Sequence, residues 1–226
     1  MGDAEKKDSS QTDESNLRVS ASPRLRVSTI SLDFENRAVA EGFKFITGVD
    51  EVGRGCLAGA VVAAAVILDL SKPLPEGLDD SKKITAKNRE RIAEEIRENA
   101  ICYQIGQIEA EEIDRINILQ ATKKAMISAV GRLNPAADFL LIDALQLKEL
   151  NLPQKAIIHG DAISASIAAA SIIAKTYRDN LMKEFDKIYP GYGFSKHVGY
   201  GTKAHFEALR KFGATSIHRK TFRGVL

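Results

Sequence analysis

Hydrophobic and polar positions divide the chain into two textures. Residues 1 to about 40 are mostly Ser, Asp, Glu, Arg and Lys with few aromatics, too little apolar surface to offset the entropy of ordering. They read as a flexible leader with a short helix over residues 34–43. From Lys44 onward, apolar runs of strand length alternate with helical periodicity. Residues 45–50, 61–68 and 101–108 predict three strands, and 139–142 and 155–158 two more, enough for one five-stranded sheet. Between them, Thr85 is placed to cap a helix running through residues 91–99. The spacing of Ile113, Ile116, Leu119, Met126 and Val130 predicts one long helix over 111–133. Residues 164–188 open with small Ala and Ser side chains that permit close helix packing and end amphipathic, with Leu181, Phe185 and Ile188. A Gly/Tyr-rich loop over 191–201, a helix over 202–212 and a basic tail complete the chain. The expected organisation is a leader over 1–43, an α/β domain over 44–188 and a C-terminal helical, basic segment over 189–226.

Composition narrows the class without naming a function. Of 226 residues, 44% are hydrophobic and 27% charged, ordinary for a globular protein and unlike a wholly disordered, collagen-like or disulfide-stapled chain. The net charge of +2 identifies no partner, but its distribution is uneven: residues 1–16 sum to −3 and residues 203–226 to +5. The basic end suits phosphate, although a solvated tail explains it equally well. Two cysteines, Cys56 and Cys102, are too few for a metal or disulfide framework and fit a reducing compartment. The longest uncharged apolar stretches, 56–68 and 162–174, fall short of the roughly 18–20 residues that span a bilayer. The first residues also lack signal-peptide features, so a cytoplasmic protein is expected.

Candidate chemistry lies where apolar runs stop. Asp50 and Glu51 follow Phe45-Ile-Thr-Gly-Val, Asp143 follows Phe139-Leu-Leu-Ile, and Asp161 follows Lys155-Ala-Ile-Ile-His159. Strand ends are common active-site positions. Any one of these Asp residues is explained by turn or cap preference. Several together would repel one another unless protonated or neutralised, and a hard divalent cation with oxygen ligands, Mg²⁺ or Mn²⁺, neutralises them best. Two such ions could drive in-line hydrolysis of a phosphodiester without a protein nucleophile. Gly53-Arg54-Gly55 adds a turn whose amides approach a ligand closely, with an Arg fork for phosphate. An ordinary tight turn with an exposed Arg would read the same way.

Taken together, Gly48-Val-Asp-Glu-Val-Gly-Arg-Gly55, Leu57-Ala-Gly59, Asp80-Ser-Lys-Lys83, Leu141-Ile-Asp143, Gly160-Asp161, Ser166-Ile-Ala-Ala-Ala-Ser-Ile-Ile-Ala-Lys175 and Gly199-Tyr-Gly-Thr202 resemble the ribonuclease HII family. The resemblance runs from about Ile46 to Phe222 with the motifs in family order. It implies a ribonuclease H-like mixed five-stranded sheet flanked by helices, with a C-terminal helical extension that helps hold a duplex. The implied activity is cleavage of the RNA strand of RNA/DNA hybrids and nicking of duplex DNA 5′ to an embedded ribonucleotide, leaving 3′-hydroxyl and 5′-phosphate ends. Asp50, Glu51, Asp143 and Asp161 are the implied catalytic residues and metal ligands, for Mg²⁺ or Mn²⁺ and two ions during catalysis. Gly53, Arg54 and Gly55 are implied to read the ribose 2′-hydroxyl, the contact that separates RNA from DNA. Tyr200 is implied to pack on the deoxyribose after the ribonucleotide and to hydrogen-bond to the 2′-hydroxyl.

Lys82, Lys83 and Lys175 are candidate phosphate contacts, each with a solvated-surface reading beside it. His197, His205 and His218 are assigned structural or substrate-side roles because Mg²⁺ prefers oxygen; His159 ends a strand and Tyr192 packs in its loop. Two positions depart from the commonest family pattern. Ala162 stands where serine is frequent and Val198 where lysine often precedes the Gly-Tyr-Gly-Thr motif, which shifts expected phosphate binding toward Arg219, Lys220 and Arg223. Some relatives carry a peptide for a replication clamp, but neither terminus has a convincing motif of that kind. A monomer with a dispensable leader, residues 1–40, is expected. Three rivals remain: the sister family ribonuclease HIII, disfavoured by the short polar leader; a silent hybrid-binding module, disfavoured by four intact carboxylates; and a nucleotide-phosphate loop, which lacks the Gly-Lys-Ser/Thr ending.

Overall fold

The structure, a computed structural model, describes residues 1–2 and 30–226; the rest of the expected leader lies outside the described residues. It opens with helix α1 (Asp33–Ala40), strands β1 (Ile46–Val52) and β2 (Val61–Ile67), helix α2 (Ala86–Asn99) and strand β3 (Cys102–Ile108). Helices α3 (Ala110–Ile116) and α4 (Ile118–Val130) lead to strands β4 (Phe139–Asp143) and β5 (Gln154–Ile157). After a 3₁₀ turn (Gly160–Ala162) come helices α5 (Ala165–Ile188), α6 (Phe194–His197) and α7 (Lys203–Phe212). The five strands form one mixed sheet in the order β3-β2-β1-β4-β5, antiparallel through β1–β3 and parallel for β1–β4 and β4–β5.

Alternation on β2 shows why the sheet is covered on both sides. Val61, Ala63, Ala65 and Ile67 face the core that contains Ala121, Ala125 and Met126 of α4, whereas Val62, Ala64 and Val66 face Ile92 and Ile96 of α2 and Ala169, Ile172 and Ile173 of α5. Small residues set how closely the layers approach. A Cβ on Gly48 of β1 would lie 2.0 Å from the Ser166 carbonyl group of α5, and one on Gly106 of β3 would lie 2.0 Å from the Ala125 carbonyl oxygen of α4. Both helices thus rest directly on strand backbone. No helix among the described residues is long and apolar enough to cross a membrane.

Three expectations change. The helix expected over 111–133 is two helices, because Asn117 has φ of +68° and its side chain accepts hydrogen bonds from the Leu119 and Gln120 amides, ending α3 and starting α4. Strand β1 continues through Val52, two residues past the expected end at Asp50, so Glu51 also lies within the strand instead of after it. The leader boundary at residue 43 falls beyond α1, which belongs to the packed body. Glu35 of α1 is fully buried, and its Oε1 accepts from the Ser164 hydroxyl at 2.7 Å and the Ser166 amide at 2.9 Å. Deleting residues 1–40 would therefore remove a partner of the α5 N-terminus. Glu35→Ala alone, which strands both donors, is expected to cost about 2 kcal/mol and lower Tm by about 4–8 °C, read by thermal unfolding.

Candidate active site

The sheet order itself assembles the carboxylates. β1 lies between β2 and β4, and Val49 pairs with Ile142 in the parallel register, so Asp50 and Asp143 stand one residue further along at the same edge. Gly48 and Asp50 share the face covered by α5, opposite Val49, which packs in the α4 core. Asp143 then anchors the following loop: its Oδ1 accepts from the Gly160 amide at 2.8 Å, which brings the adjacent Asp161 to the same place. Asp50 is 5% exposed and Asp161 6%.

Burial and mutual repulsion make these anions costly. Burial, followed by the charge of Glu51, pushes the Asp50 carboxyl well above its usual range, with Asp143 adding to the repulsion. Burial raises Glu51 despite the opposing pull of Arg54, whose Nη1 is 3.1 Å from Oε1. Burial also raises Asp143 against the opposing Gly160 amide, and repulsion from Asp161 adds to the rise. Asp161 has a cation of its own: Lys82 Nζ lies 3.0 Å from Oδ2. The turn carrying Lys82 is shaped by the Asp80 carboxylate, which accepts from the Lys82 amide, and is pinned to α5 by the Ser81–Ser171 hydroxyl pair at 3.0 Å.

The Gly53–Arg54–Gly55 turn follows β1 directly. Gly53 has φ of +92° and lies so close to Arg178 that a Cβ would sit 2.3 Å from its Nε. A Cβ on Gly55 would lie 4.0 Å from the Tyr200 ring, so the turn and this tyrosine are neighbours. Tyr200 is 43% exposed and lines a cleft of about 480 Å³ together with Lys82, Arg89, Lys175, Asp179 and Lys196. Lys175 donates to Asp179 at 2.7 Å, and Arg89 reaches the same carboxylate at 3.2 Å. Lys83 is not among the residues lining this cleft; it is exposed and 3.4 Å from Asp79. The Arg54 guanidinium engages Glu51 here.

Two buried arginines carry the local architecture. Arg178, which the motif reading passed over, is fully buried and donates to the Ala58, Ala60 and Val198 carbonyls at 2.8–3.0 Å. Its signal was its place between Ala174 and Met182 on the buried face of α5, at the four-residue spacing of one helix side. Arg219, expected to meet phosphate, is corrected: it is fully buried and donates to the Gly59 and Arg54 carbonyls, so it cannot present its charge to a duplex. Lys220 and Arg223 remain exposed. Val198 gives its carbonyl to Arg178 from a φ of +43°. Tyr192 packs against Phe194, with ring centroids 5.2 Å apart, and its hydroxyl donates to Gly213. His159 is exposed and caps the 3₁₀ turn.

Among the described residues, no three His, Cys, Asp or Glu side chains are already gathered into a cation cage. The donor set nevertheless fits a hard divalent ion. It is all oxygen, its members are held near one another by strand register and the Gly160 amide, and Glu51 Oε2 is buried with no hydrogen-bond partner. Arg54 and Lys82 supply the neutralising charge in this state, and an ion held by Asp50, Glu51, Asp143 and Asp161 would extend that neutralisation to the whole group.

Comparison with known proteins bears on the family and the fold. The sequence model described as Ribonuclease HII matches residues 47–225. A Ribonuclease HII from Desulfitobacterium hafniense (strain DSM 10664 / DCB-2) is 56% identical over 191 residues, covering 84% of this chain and 73% of the relative. The ribonuclease HII solved in complex with PCNA from Archaeoglobus fulgidus matches with a TM-score of 0.70 at 26% identity, covering 80% of this chain and 96% of that one. Bst-RNase HIII, solved in complex with Mn²⁺, shares the fold at a TM-score of 0.62 and 19% identity, covering 81% of this chain and 68% of that one. With a mixed sheet flanked by helices, carboxylates at its β1 and β4 ends and a family match over most of its length, the chain belongs to the ribonuclease HII family.

Proposed function

We propose that this protein is an endoribonuclease that hydrolyses the RNA strand of RNA/DNA hybrids and nicks duplex DNA 5′ to embedded ribonucleotides, leaving 3′-hydroxyl and 5′-phosphate ends. The observation that carries the reading is adjacency: Asp50 and Glu51 at the end of β1 run straight into the Gly53–Gly55 turn, and a Cβ on Gly55 would come within 4.0 Å of the Tyr200 ring. Cutting and ribose reading thus share one short segment. Two Mg²⁺ or Mn²⁺ ions held by Asp50, Glu51, Asp143 and Asp161 would activate a water and stabilise the leaving oxygen. The chain's own groups do the rest. Backbone groups of the turn face the 2′-hydroxyl, Tyr200 packs on the next sugar, and Lys82 and Lys175 hold phosphates along the cleft. Lys83, outside that cleft, is given no such part.

The test compares cleavage of an RNA/DNA hybrid, of a DNA duplex with one ribonucleotide, and of the same duplex with that 2′-hydroxyl replaced by hydrogen. Cutting of the first two with Mg²⁺ or Mn²⁺ and not of the third is expected; equal cutting of all three would refute ribose recognition. Lys82→Ala should weaken duplex binding several-fold at low salt and shallow the log Kd against log salt slope by about 1, measured by titration over a salt series. An unchanged slope would remove Lys82 from the phosphate path.

A further inference from the structure

The two parts of the proposed ribose reader, the Gly-Arg-Gly turn and Tyr200, come from residues almost 150 positions apart, and residues 215–219 are bonded to the turn directly and to Tyr200 through His205. On one side, backbone pairs like a short ladder: the Arg219 amide donates to Leu57, and the Gly59 amide donates to Ile217, both at 2.8 Å. The buried Arg219 guanidinium adds bonds to the Gly59 carbonyl at 2.9 and 3.1 Å and to the Arg54 carbonyl at 2.9 Å. That last bond fixes the central residue of the turn.

On the other side runs a chain of histidines whose protons the backbone dictates. The Thr215 amide can only donate, so His218 Nδ1, 2.9 Å away, is the acceptor and Nε2 carries the hydrogen. The Tyr200 carbonyl can only accept, so His205 Nδ1, 2.9 Å away, carries the hydrogen and Nε2 is the acceptor. The two Nε2 atoms are 3.1 Å apart and complementary as one donor and one acceptor. Both rings are buried, and His197 stacks on His205 at 4.5 Å while its own nitrogens bond the Tyr192 carbonyl and the Gly199 amide. Each ring nitrogen of the three thus has a partner in the neutral form. The sequence of contacts is Thr215 to His218 to His205 to the peptide of Tyr200.

We propose that residues 215–219 form a clasp that, beside the direct bond from the Leu57 amide to the Gly199 carbonyl at 2.8 Å, sets the spacing between the Gly-Arg-Gly turn and Tyr200, with Arg219 and the His218–His205 pair as positioning residues for ribonucleotide recognition. The proposal rests on the functional reading above. None of these side chains touches the reacting phosphate. They act through the backbone of the groups that read the sugar, and a shift of about 1 Å in such groups costs on the order of a hundredfold.

Two substitutions separate this role from mere packing. His218→Gln keeps a donor where Nε2 stands and so retains the bond to His205; His218→Asn keeps only the contact to Thr215. His218→Asn is expected to lower nicking at a single ribonucleotide at least about tenfold. An all-RNA strand, which offers Tyr200 no deoxyribose, should lose under about threefold, and His218→Gln should stay within about threefold of wild type on both. Adding His218→Asn to Tyr200→Ala should cost nothing further, because both remove one device. Hydrogen exchange over residues 198–202, which needs no substrate, should be faster in His218→Asn and normal in His218→Gln. Equal loss on both substrates, additive loss in the double variant, or unchanged exchange would overturn the clasp. If wild type does not nick at ribonucleotides, the functional reading falls, while the exchange measurement still decides the clasp.

Discussion

Asp50→Asn is expected to abolish metal-dependent cleavage, by at least about 100- to 1,000-fold, while making the metal-free protein more stable. The two effects have one source. Burial and the neighbouring Glu51 and Asp143 hold the Asp50 carboxyl well above its usual range, so the folded protein binds that proton more tightly than the unfolded chain does. For a carboxyl shifted upward, stability is fully present below its ordinary value near 4 and is lost as pH rises through the raised folded value. At neutral pH the group is therefore a cost of folding, and Glu51 and Asp143, also raised, add to it. Asparagine removes the charge and relieves its repulsion. Tm at pH 7 should rise by about 2–4 °C for each kcal/mol relieved, and the gain should shrink at acid pH. Added Mn²⁺ should raise Tm of wild type more than that of Asp50→Asn, as expected for binding to the folded state alone. A variant less stable than wild type at pH 7 would contradict the electrostatics.

Gly48→Ala is expected to be nearly as damaging to activity without touching a functional group. A methyl there would lie 2.0 Å from the carbonyl carbon and oxygen of Ser166, which belong to helix backbone and cannot rotate away. α5 or β1 must shift, at a cost of about 3 kcal/mol, or roughly 6–12 °C in Tm. The shift acts two residues before Asp50 and on the helix that carries Ser171, the hydroxyl partner of Ser81 in the turn that holds Lys82. Cleavage should fall on the order of a hundredfold even where the variant remains folded, measured at a temperature below its transition. Activity within about twofold of wild type would show that the layers tolerate the displacement.

Strand and helix types were legible because β2 and α5 are dictated by apolar pattern and small residues over long stretches, and the carboxylates because each ends a recognisable run. What escaped depends on single residues. Asn117 breaks a helix whose apolar period runs through it, since period reports which face is buried and not whether the backbone turns. Arg219 looked like part of a basic patch because charge counts carry no burial; only the fold shows the carbonyls of Arg54 and Gly59 waiting for it. Glu35 sat in a polar segment that composition assigned to the leader, yet one buried carboxylate on two α5 donors makes α1 part of the body. Proximity of Gly55 to Tyr200 joins segments far apart in sequence, and no local pattern encodes it.

The most direct test of the site is to map the cut in a DNA duplex holding one ribonucleotide, with Mg²⁺ or Mn²⁺ and without either, for wild type and Asp50→Asn. A single nick on the 5′ side of the ribonucleotide, present only with metal and absent in the variant, is the expected result. Tight binding of the duplex by wild type with no cut under either metal would contradict it and leave a hybrid-binding module.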